Sequence, residues 1–315
     1  MPRSDDIANL FHSIGVSPSS YREISSLLGT AQALPSPASG TPPPALVSLL
    51  NDTTTAPPQR AVPAQVVVVV SGKGGVGKST VTAALATVLN RGERTYAIDL
   101  DPQNAVMRNL ALDADRPGLV QLQEGSAAWQ EIVQKNHPRG FCVPYGAATT
   151  AQQQQFEQTL RDDPEWLARQ LAQLHTRPRD TLVIDTPAGS SVYLDQALAI
   201  ADLVLMVTLP DAASYHALER MEQVLKGRVP LHYVINQVDA TREFSQSMVA
   251  VISKRLTRNL LGVIHQDHFL SESVAYERNP LNSSPASTGC LDLLDLARSL
   301  QHALTQPQIT QPSTS

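Results

Sequence analysis

Residues 72–79, GKGGVGKS, form a glycine-rich run that ends in a lysine and a serine. The run stands between the β-branched stretch 66–70 and a helical pattern, the context that a phosphate-binding loop requires. Its glycines let backbone N–H groups turn towards phosphate oxygens, and the helix N-terminus adds its dipole. Lys78 is placed to reach the β- and γ-phosphates of a nucleotide, and the Ser79 hydroxyl to ligate Mg²⁺. The nucleotide contacts predicted here are Gly72, Lys73, Gly74, Gly75, Val76, Gly77, Lys78, Ser79 and Thr80.

A second lysine, Lys73, directly follows the first glycine of this run. With it the loop resembles the deviant Walker A motif of MinD/ParA ATPases. In that family the additional lysine reaches across a dimer interface to the nucleotide of the partner subunit. The resemblance, which extends over about residues 65–304, therefore implies ATP and Mg²⁺ as cofactors and a homodimer bridged by ATP.

Two carboxylate-bearing segments resemble further motifs of the family. Residues 97–103, AIDLDPQ, place Asp99 and Asp101 two positions apart, so one face of a strand end carries both. By resemblance Asp101 positions the attacking water, whereas Asp99 organises the surroundings of the loop lysine and Mg²⁺ and is a further candidate metal ligand. Residues 182–189, LVIDTPAG, resemble Walker B and the second switch, so Asp185 is expected to hold Mg²⁺ through water.

The base of the nucleotide is expected near the ends of two late strand patterns. Asn236, in the stretch 234–237, matches the family asparagine that contacts adenine. Residues 261–267, LGVIHQD, resemble the family segment beside the base, with His265 in place of the usual proline. His265 is a candidate base contact, and a metal site within 265–268 is a weaker alternative because two histidines without further ligands are poor evidence.

The chemistry that the resemblance implies is slow, switch-like hydrolysis of ATP. Phosphoryl transfer to water needs positioning and neutralisation of charge rather than a covalent intermediate. Lys78, Lys73 of the partner subunit, Mg²⁺ and the loop amides supply the positive charge, and Asp101 orients water. The catalytic residues expected are Asp101, Lys73 and Lys78.

The remainder of the chain predicts the scaffold for these residues. Strand and helix patterns alternate from Gln65 onwards, which is typical of a doubly wound, mostly parallel α/β sheet, here a P-loop NTPase of the SIMIBI class. We expect the ATPase domain over 65–305 and a disordered tail over 306–315. The strand candidates after 66–70 are Thr95–Leu100, Thr181–Asp185, Leu203–Leu209, Leu231–Asn236 and Leu260–Ile264, and a last helix is predicted over Leu291–Leu304 with a leucine core face.

The N-terminal part carries a separate signal. Residues 1–33 contain apolar residues at helical spacing, and 34–64 form a Pro-rich linker. The short stretches 6–10 and 21–25 resemble the BcsR-type protein of bacterial cellulose synthase operons, which partners a MinD-like ATPase of the BcsQ type. The resemblance implies a fused BcsR-like helical extension, and partners among the cellulose synthase subunits at the inner membrane. The alternative is a segment that only docks on the chain's own ATPase domain.

Composition limits the other functions. The net charge is −5, so no global basic field attracts nucleic acid, and direct DNA binding is not expected. Two cysteines favour a reducing cytoplasm, and the last helix lacks the Lys/Arg face that membrane insertion needs, so we expect recruitment to the inner membrane or cell pole by partners. A ParA- or flagellar-type ATPase that positions DNA or a cell-pole structure is the main alternative. A catalytically inactive scaffold that holds nucleotide is the third.

Overall fold

The computed structural model describes residues 62–89, 93–276, 278, 279, 281 and 286–305. The N-terminal segment 1–33, most of the linker 34–64 and the tail 306–315 lie outside the described residues, and the predictions made for them stay predictions.

The described residues build one eight-stranded sheet in the order β3-β4-β2-β5-β1-β6-β7-β8. β1 lies in the middle, between β5 and β6, and every pairing is parallel except that of β3 with β4. The predicted doubly wound parallel sheet is confirmed. The strands are β1 (Gln65–Val70), β2 (Thr95–Asp99), β3 (Gln134–His137), β4 (Gly140–Val143), β5 (Thr181–Asp185), β6 (Leu203–Thr208), β7 (Leu231–Val238) and β8 (Leu260–His265).

The central strand is buried on both faces. Val67 and Val69 pack in one core cluster with Leu85 of the following helix, and the alternate valines, Val66 and Val68, are fully buried on the opposite face. A continuous β-branched run is what a central parallel strand requires, since helices cover both sides of such a sheet. The loop after β1 is thus anchored to the most deeply buried element of the fold.

Helices connect most of the strands. α1 starts at the end of the glycine-rich run, and α11 packs against both α1 and β8. A 3₁₀ turn, Thr257–Asn259, precedes β8. The helices are α1 (Lys78–Val88), α2 (Ala105–Asn109), α3 (Leu119–Glu124), α4 (Trp129–Ile132), α5 (Thr150–Asp162), α6 (Trp166–Ala172), α7 (Val192–Leu198), α8 (Ala212–Leu225), α9 (Glu243–Leu256), α10 (His268–Ala275) and α11 (Thr288–Thr305).

The leucine face predicted for the last helix is partly wrong. Leu291 is half exposed, whereas Leu300 is fully buried. The buried stripe follows the i, i+3, i+4, i+7 spacing of one helix face, and it packs in the same core cluster as residues of β8 and α1. Leu291 and Leu294 fall beside it, because leucines occupy more than one side of this helix. The stripe consists of Leu293, Leu296, Ala297 and Leu300.

An aromatic cluster fills the region between β4 and α7. Phe156 contacts the rings of Tyr145, Trp166 and Tyr193, and the Tyr145 and Tyr193 hydroxyls lie 2.9 Å apart. Burial raises the pKa of Tyr145 to about 12. Trp166, 5% exposed, is a core residue of the same cluster. Tyr193, 2% exposed, belongs to the core of its own chain.

Candidate nucleotide-binding site

The glycine-rich loop joins β1 to α1 and is shaped by two left-handed glycines. Gly75 and Gly77 have φ angles of 76° and 83°, a region that favours glycine. A Cβ on Gly77 would lie 2.4 Å from Asn236 Nδ2, and one on Gly72 would lie 2.6 Å from the carbonyl oxygen of Ala217 in α8. Three of the four glycines are therefore required by the fold itself.

The fourth glycine, Gly74, has a different environment. Apart from its immediate neighbours in the chain, a Cβ at this position would meet no atom of the described residues within 4 Å, so packing does not account for it. Gly74 therefore leaves open space beside the loop. The loop leads into α1, an eleven-residue helix with no acidic residue in its first turn. Free backbone N–H groups and the helix dipole at such a terminus favour an anion. The loop therefore fits the phosphate group that its sequence predicts.

Lys78 occupies the centre of a carboxylate cluster beside this loop. Its Nζ lies 2.8 Å from Asp185 Oδ2 and 3.6 Å from Asp101 Oδ2, and the side chain is almost completely buried. Burial raises the pKa of Asp185, and the Lys78 ammonium opposes that shift. A buried ammonium between two carboxylates is held by charge-assisted contacts, so its position beside the loop is fixed.

Asp185 also binds two hydroxyl groups of α1. Ser79 Oγ donates to Oδ2 over 2.7 Å, and Thr82 Oγ1 donates to Oδ1 over 2.8 Å. Ser79 and Asp185 thus form the oxygen pair that the sequence assigned to Mg²⁺, a cation that takes few protein ligands together with substrate phosphates and water. Sequence reasoning missed Thr82. The sequence feature that could have indicated Thr82 is its position one turn after Lys78, which places both side chains on the same face of α1.

Asp99 is fully buried, and both of its carboxylate oxygens are bound to backbone N–H groups. The Asp101 N–H donates to Oδ1 over 2.9 Å, and the Val106 N–H donates to Oδ2 over 3.0 Å. Burial raises its pKa well above the usual range, and the neighbouring Asp185 adds to the shift. Through these bonds Asp99 holds the turn that carries Asp101. The metal contact that the sequence offered for Asp99 stays a prediction.

Asp101 stands at the end of that turn, facing Lys78. Its Oδ1 accepts the Gln103 N–H over 3.0 Å, which leaves Oδ2 directed at the lysine. The side chain keeps 15% exposure, so water can reach it. The water-positioning role predicted for Asp101 stays a prediction, to which this placement adds support.

Lys73 points away from this cluster, towards α8. Its Nζ lies 3.0 Å from Asp211 Oδ2, and both side chains are about one-third exposed. Asp211 also accepts the Ser214 N–H over 2.7 Å and so caps α8. Burial alone would raise the pKa of Asp211, but the Ser214 N–H and the Lys73 ammonium hold it below its usual value. Lys73 thus has an ion-pair partner, Asp211, within its own chain.

On its opposite side the loop is bonded to β7, and β8 is the next strand of the sheet. The Asn236 amide nitrogen donates to the carbonyl oxygen of Val76 over 2.8 Å and so anchors the loop. The matching group for an adenine amino donor is the Asn236 amide oxygen. His265 donates its backbone N–H to Asp292 Oδ2 over 2.9 Å, and its ring Nδ1 lies 2.9 Å from the same oxygen.

Sequence reasoning missed Asp292, because a contact between residues 27 positions apart has no local signal. The alternative metal site around residues 265–268 gains no support, since the described residues contain no cluster of three His, Cys, Asp or Glu side chains that could hold an ion. Asp267 instead accepts the backbone N–H groups of Phe269 and Gly289, near the starts of α10 and α11.

The second switch predicted after β5 is tied to the end of β1. The Gly189 N–H donates to the Ser71 carbonyl oxygen over 2.8 Å, and Thr186 Oγ1 donates to that of Val69 over 3.1 Å. Gly189 has a φ of 79°, where glycine is favoured. The segment after Asp185 therefore lies next to the glycine-rich loop.

A family model described as "Cellulose biosynthesis protein BcsQ" matches residues 65–300, which includes the loop, all three carboxylates, Asn236 and His265. The chain belongs to the BcsQ family. Similar curated proteins include the septum site-determining protein MinD of Neisseria meningitidis, 30% identical over 220 residues, covering 64% of this chain and 78% of that protein. An uncharacterized ATP-binding protein of Methanocaldococcus jannaschii is 25% identical over 256 residues, covering 79% and 92%.

Solved structures confirm the fold of this BcsQ family member. MinD of Pyrococcus horikoshii, complexed with Mg-ADP, superposes with a TM-score of 0.63 at 22% identity, covering 77% of this chain and 98% of that one. A plasmid partition protein of Borrelia burgdorferi, bound to AMPPNP, gives 0.62 at 17% identity, covering 76% and 99%. The chain is thus a MinD/ParA-type P-loop ATPase family member, and its nucleotide-bound neighbours are consistent with binding of ATP and Mg²⁺.

Proposed function

We propose that this protein is an ATP-dependent dimerising ATPase that regulates assembly or localisation of the bacterial cellulose synthase complex. The observation that carries the proposal is the BcsQ family match over 65–300, in a chain whose glycine-rich loop, Lys78 and carboxylates are all in place. The intact loop favours a working ATPase over an inactive scaffold.

The geometry supports a division of work among the loop residues. Lys78 and the loop N–H groups bind the β- and γ-phosphates, and Ser79 and Asp185 are the residues that would hold Mg²⁺. The cation supplies charge neutralisation at the phosphates when bound. Asp101 orients the attacking water, and Asp99 holds the turn on which Asp101 stands. Turnover is slow and acts as a timer for the dimer.

Dimerisation is assigned to Lys73. In the proposal two chains face each other across their loops, and Lys73 of the partner subunit reaches the nucleotide. Lys73 is one-third exposed, and among the described residues its ammonium is bound by Asp211, so it can exchange one anionic partner for another. An ion pair this exposed contributes about 0–1 kcal/mol of stability. The negative charge of the nucleotide phosphates is enough to replace Asp211 as the partner of Lys73.

Attachment to the synthase is assigned to the N-terminal part together with the ATPase dimer. The proposed organisation is a BcsR-like helical segment at 1–33, a linker at 34–64, the ATPase domain at 65–305 and a tail at 306–315. Apolar residues at helical spacing in a segment under about 40 residues need a partner to cover them. No helix in the described ranges has the length and apolar character needed to cross a bilayer. Recruitment from the cytoplasm by partners is the corresponding proposal.

The alternative function, positioning of DNA or of a cell-pole structure, is favoured by the MinD relatives. A basic patch that could serve DNA, made of Lys254, Arg255 and Arg258 at the end of α9 and in the 3₁₀ turn after it, is partly neutralised. Arg255 pairs with Glu219 and Glu222 of α8, which leaves Lys254 and Arg258 exposed. Two exposed cations on a chain of net charge −5 provide a weak electrostatic footprint for a duplex.

Co-purification with the membrane-bound cellulose synthase tests the proposal. The full chain, a form lacking residues 1–64 and the full chain with Lys78→Gln are each tagged and recovered with ATP and Mg²⁺. We expect the synthase to be retained by the full chain, weakly by the truncated form, and less by Lys78→Gln. Retention of no synthase by any form, with salt-dependent duplex DNA binding by the full chain, would transfer the assignment to the positioning ATPases.

A further inference from the structure

The turn that carries Asp101 ends at Asn104, a residue with an uncommon backbone conformation. The Asn104 N–H donates to the Asp101 carbonyl oxygen over 2.8 Å, and Asn104 is the last residue before α2. Its φ and ψ angles of 51° and 39° are left-handed. Asparagine tolerates this region better than most side chains do, so the sequence allows the chain to turn sharply here.

The position before a helix usually selects asparagine as a cap, but the Asn104 side chain makes no capping bond. Asp99 binds the first turn of α2 in its place, because Asp99 Oδ2 accepts the Val106 N–H over 3.0 Å. Helix capping therefore does not account for the amide of Asn104, which is free to bond elsewhere.

Both groups of the Asn104 amide are bonded to segments that are distant in the chain. Nδ2 donates to the carbonyl oxygen of Ala114, after α2, over 3.1 Å, and Oδ1 accepts the N–H of Tyr145, after β4, over 3.1 Å. Asn104 is 7% exposed. A buried amide with both groups paired keeps one orientation, since leaving either group unpaired in the interior is costly.

The bond to Tyr145 joins the turn to a well-packed part of the core. Tyr145 is fully buried, its ring packs against Phe156, and its hydroxyl lies 2.9 Å from that of Tyr193 in α7. Asp101 stands on the turn itself, with 15% of its side chain exposed. A group that acts on a reacting atom needs such support, because a displacement of about 1 Å can lower a rate about 100-fold.

We propose that Asn104 is the positioning residue of Asp101. Its amide fixes the turn against the core, and the Asp101 carboxylate is thereby kept beside Lys78, where it orients the attacking water. The inference rests on the proposed ATPase function and on the role proposed there for Asp101. Asn104 contacts neither the nucleotide nor the water in this arrangement, so its loss affects the hydrolysis step and spares nucleotide binding.

The substitution Asn104→Gly tests the side chain alone, because glycine keeps the left-handed backbone and removes both amide bonds. Single-turnover phosphate release should fall by about 10- to 100-fold, with the Kd for Mg-ATP within about twofold of wild type. Asn109→Ala is the matched control, since Asn109 is also buried but its amide bonds its own helix at Ala105. This control should release phosphate at the wild-type rate.

A melting curve checks that Asn104→Gly is folded. Asn104→Asp is the second variant if it is not, because the carboxylate keeps the acceptor for the Tyr145 N–H and loses only the donor to Ala114. Its loss should fall on the same step and be smaller.

A double-mutant cycle determines whether Asn104 acts through Asp101. In an Asp101→Ala background, Asn104→Gly should cause no further loss of phosphate release, because the group that it positions is absent. Additive losses in the cycle, or wild-type release by folded Asn104→Gly, would overturn this inference alone. A wild-type chain that binds Mg-ATP and releases no phosphate would overturn the proposed ATPase function instead.

Discussion

The two sides of the glycine-rich loop are built on different principles. On the β2/β5 side, Lys78 lies within 4 Å of two carboxylates, and Asp99 and Asp185 are fully buried. On the β7/β8 side, the Asn236 amide donates to the loop at Val76, and the His265 ring is held by Asp292. The first side provides strong, distance-dependent charge interactions, and the second provides an amide hydrogen bond that holds the loop in place. The comparison teaches that buried charge and loop anchoring come from opposite sides of one loop.

The largest effect is expected on the charged side, from Lys78→Gln. The loop then loses its fixed cation, and nucleotide affinity should fall on the order of 100-fold or more, since charge-assisted contacts are worth about 1.5–3 kcal/mol each. Calorimetry with Mg-ATP measures the change, and a melting curve checks folding, because Asp185 loses its buried partner. Lys226→Gln, at an exposed lysine after α8, is the control. Unchanged affinity in Lys78→Gln would remove the charged side from phosphate binding.

Asp101→Ala should separate hydrolysis from binding on the same side. The phosphate cradle remains, whereas the group that orients water is lost, so phosphate release should fall by about 100-fold or more with ATP affinity within a few-fold of wild type. Single-turnover phosphate release with parallel binding titrations measures both quantities. Asp115→Asn, at an exposed carboxylate outside the cluster, provides the control. Turnover at the wild-type rate would show that Asp101 does not position water.

A smaller effect is expected on the β7/β8 side from Asn236→Asp. A carboxylate cannot donate to the Val76 carbonyl oxygen, so the loop loses its anchor and gains a repulsive contact. Affinity for both ATP and ITP should fall by about tenfold, the cost of one buried unsatisfied polar group. An Asn236→Asp variant that weakens ATP but not ITP would show that the side chain acts on the base and not on the loop.

The smallest effect is expected from Asp211→Asn. Asp211 caps α8 and pairs with Lys73 of the loop. Asparagine keeps the helix cap but no longer pairs by charge with Lys73, so the ATP-driven dimer should form at about two- to fivefold lower ATP. Lys73→Ala should bind ATP and dimerise poorly. Light scattering at increasing ATP distinguishes the variants. Tight ATP-dependent dimers of Lys73→Ala would exclude a role for Lys73 across the interface.

Much of the charged side could be predicted from the sequence, because its residues belong to short motifs. A loop of fixed spacing between a strand and a helix places Lys78 and Ser79 at the helix N-terminus, whatever the order of the strands in the sheet. Asp101 and Asp185 end strands, so a parallel sheet brings them to the same edge. The turn-holding contacts of Asp99 and the hydroxyl of Thr82 were not predicted, since they depend on side-chain directions that a motif does not specify.

The β7/β8 side was predicted less completely. Resemblance pointed to Asn236 and His265, but the pairing of His265 with Asp292 joins β8 to α11 and depends on how that helix packs. The prediction of which face of α11 is buried was partly wrong. Leucines lie on more than one side of this helix, and its packing against β8 and α1 determines which of them are covered. The aromatic contacts between Tyr145 and Tyr193 were likewise outside the reach of periodicity.

The sequence by itself determined the alternation of strands and helices, the loop and the carboxylates at strand ends, because hydrophobic periodicity and glycine spacing are local properties. The tertiary structure alone decided which polar groups share a partner: Lys73 with Asp211, Asn236 with Val76, and His265 with Asp292. Those pairs join residues 27 to 160 positions apart. Their geometry follows from strand order and register, which are set by the packing of the whole sheet rather than by any short segment.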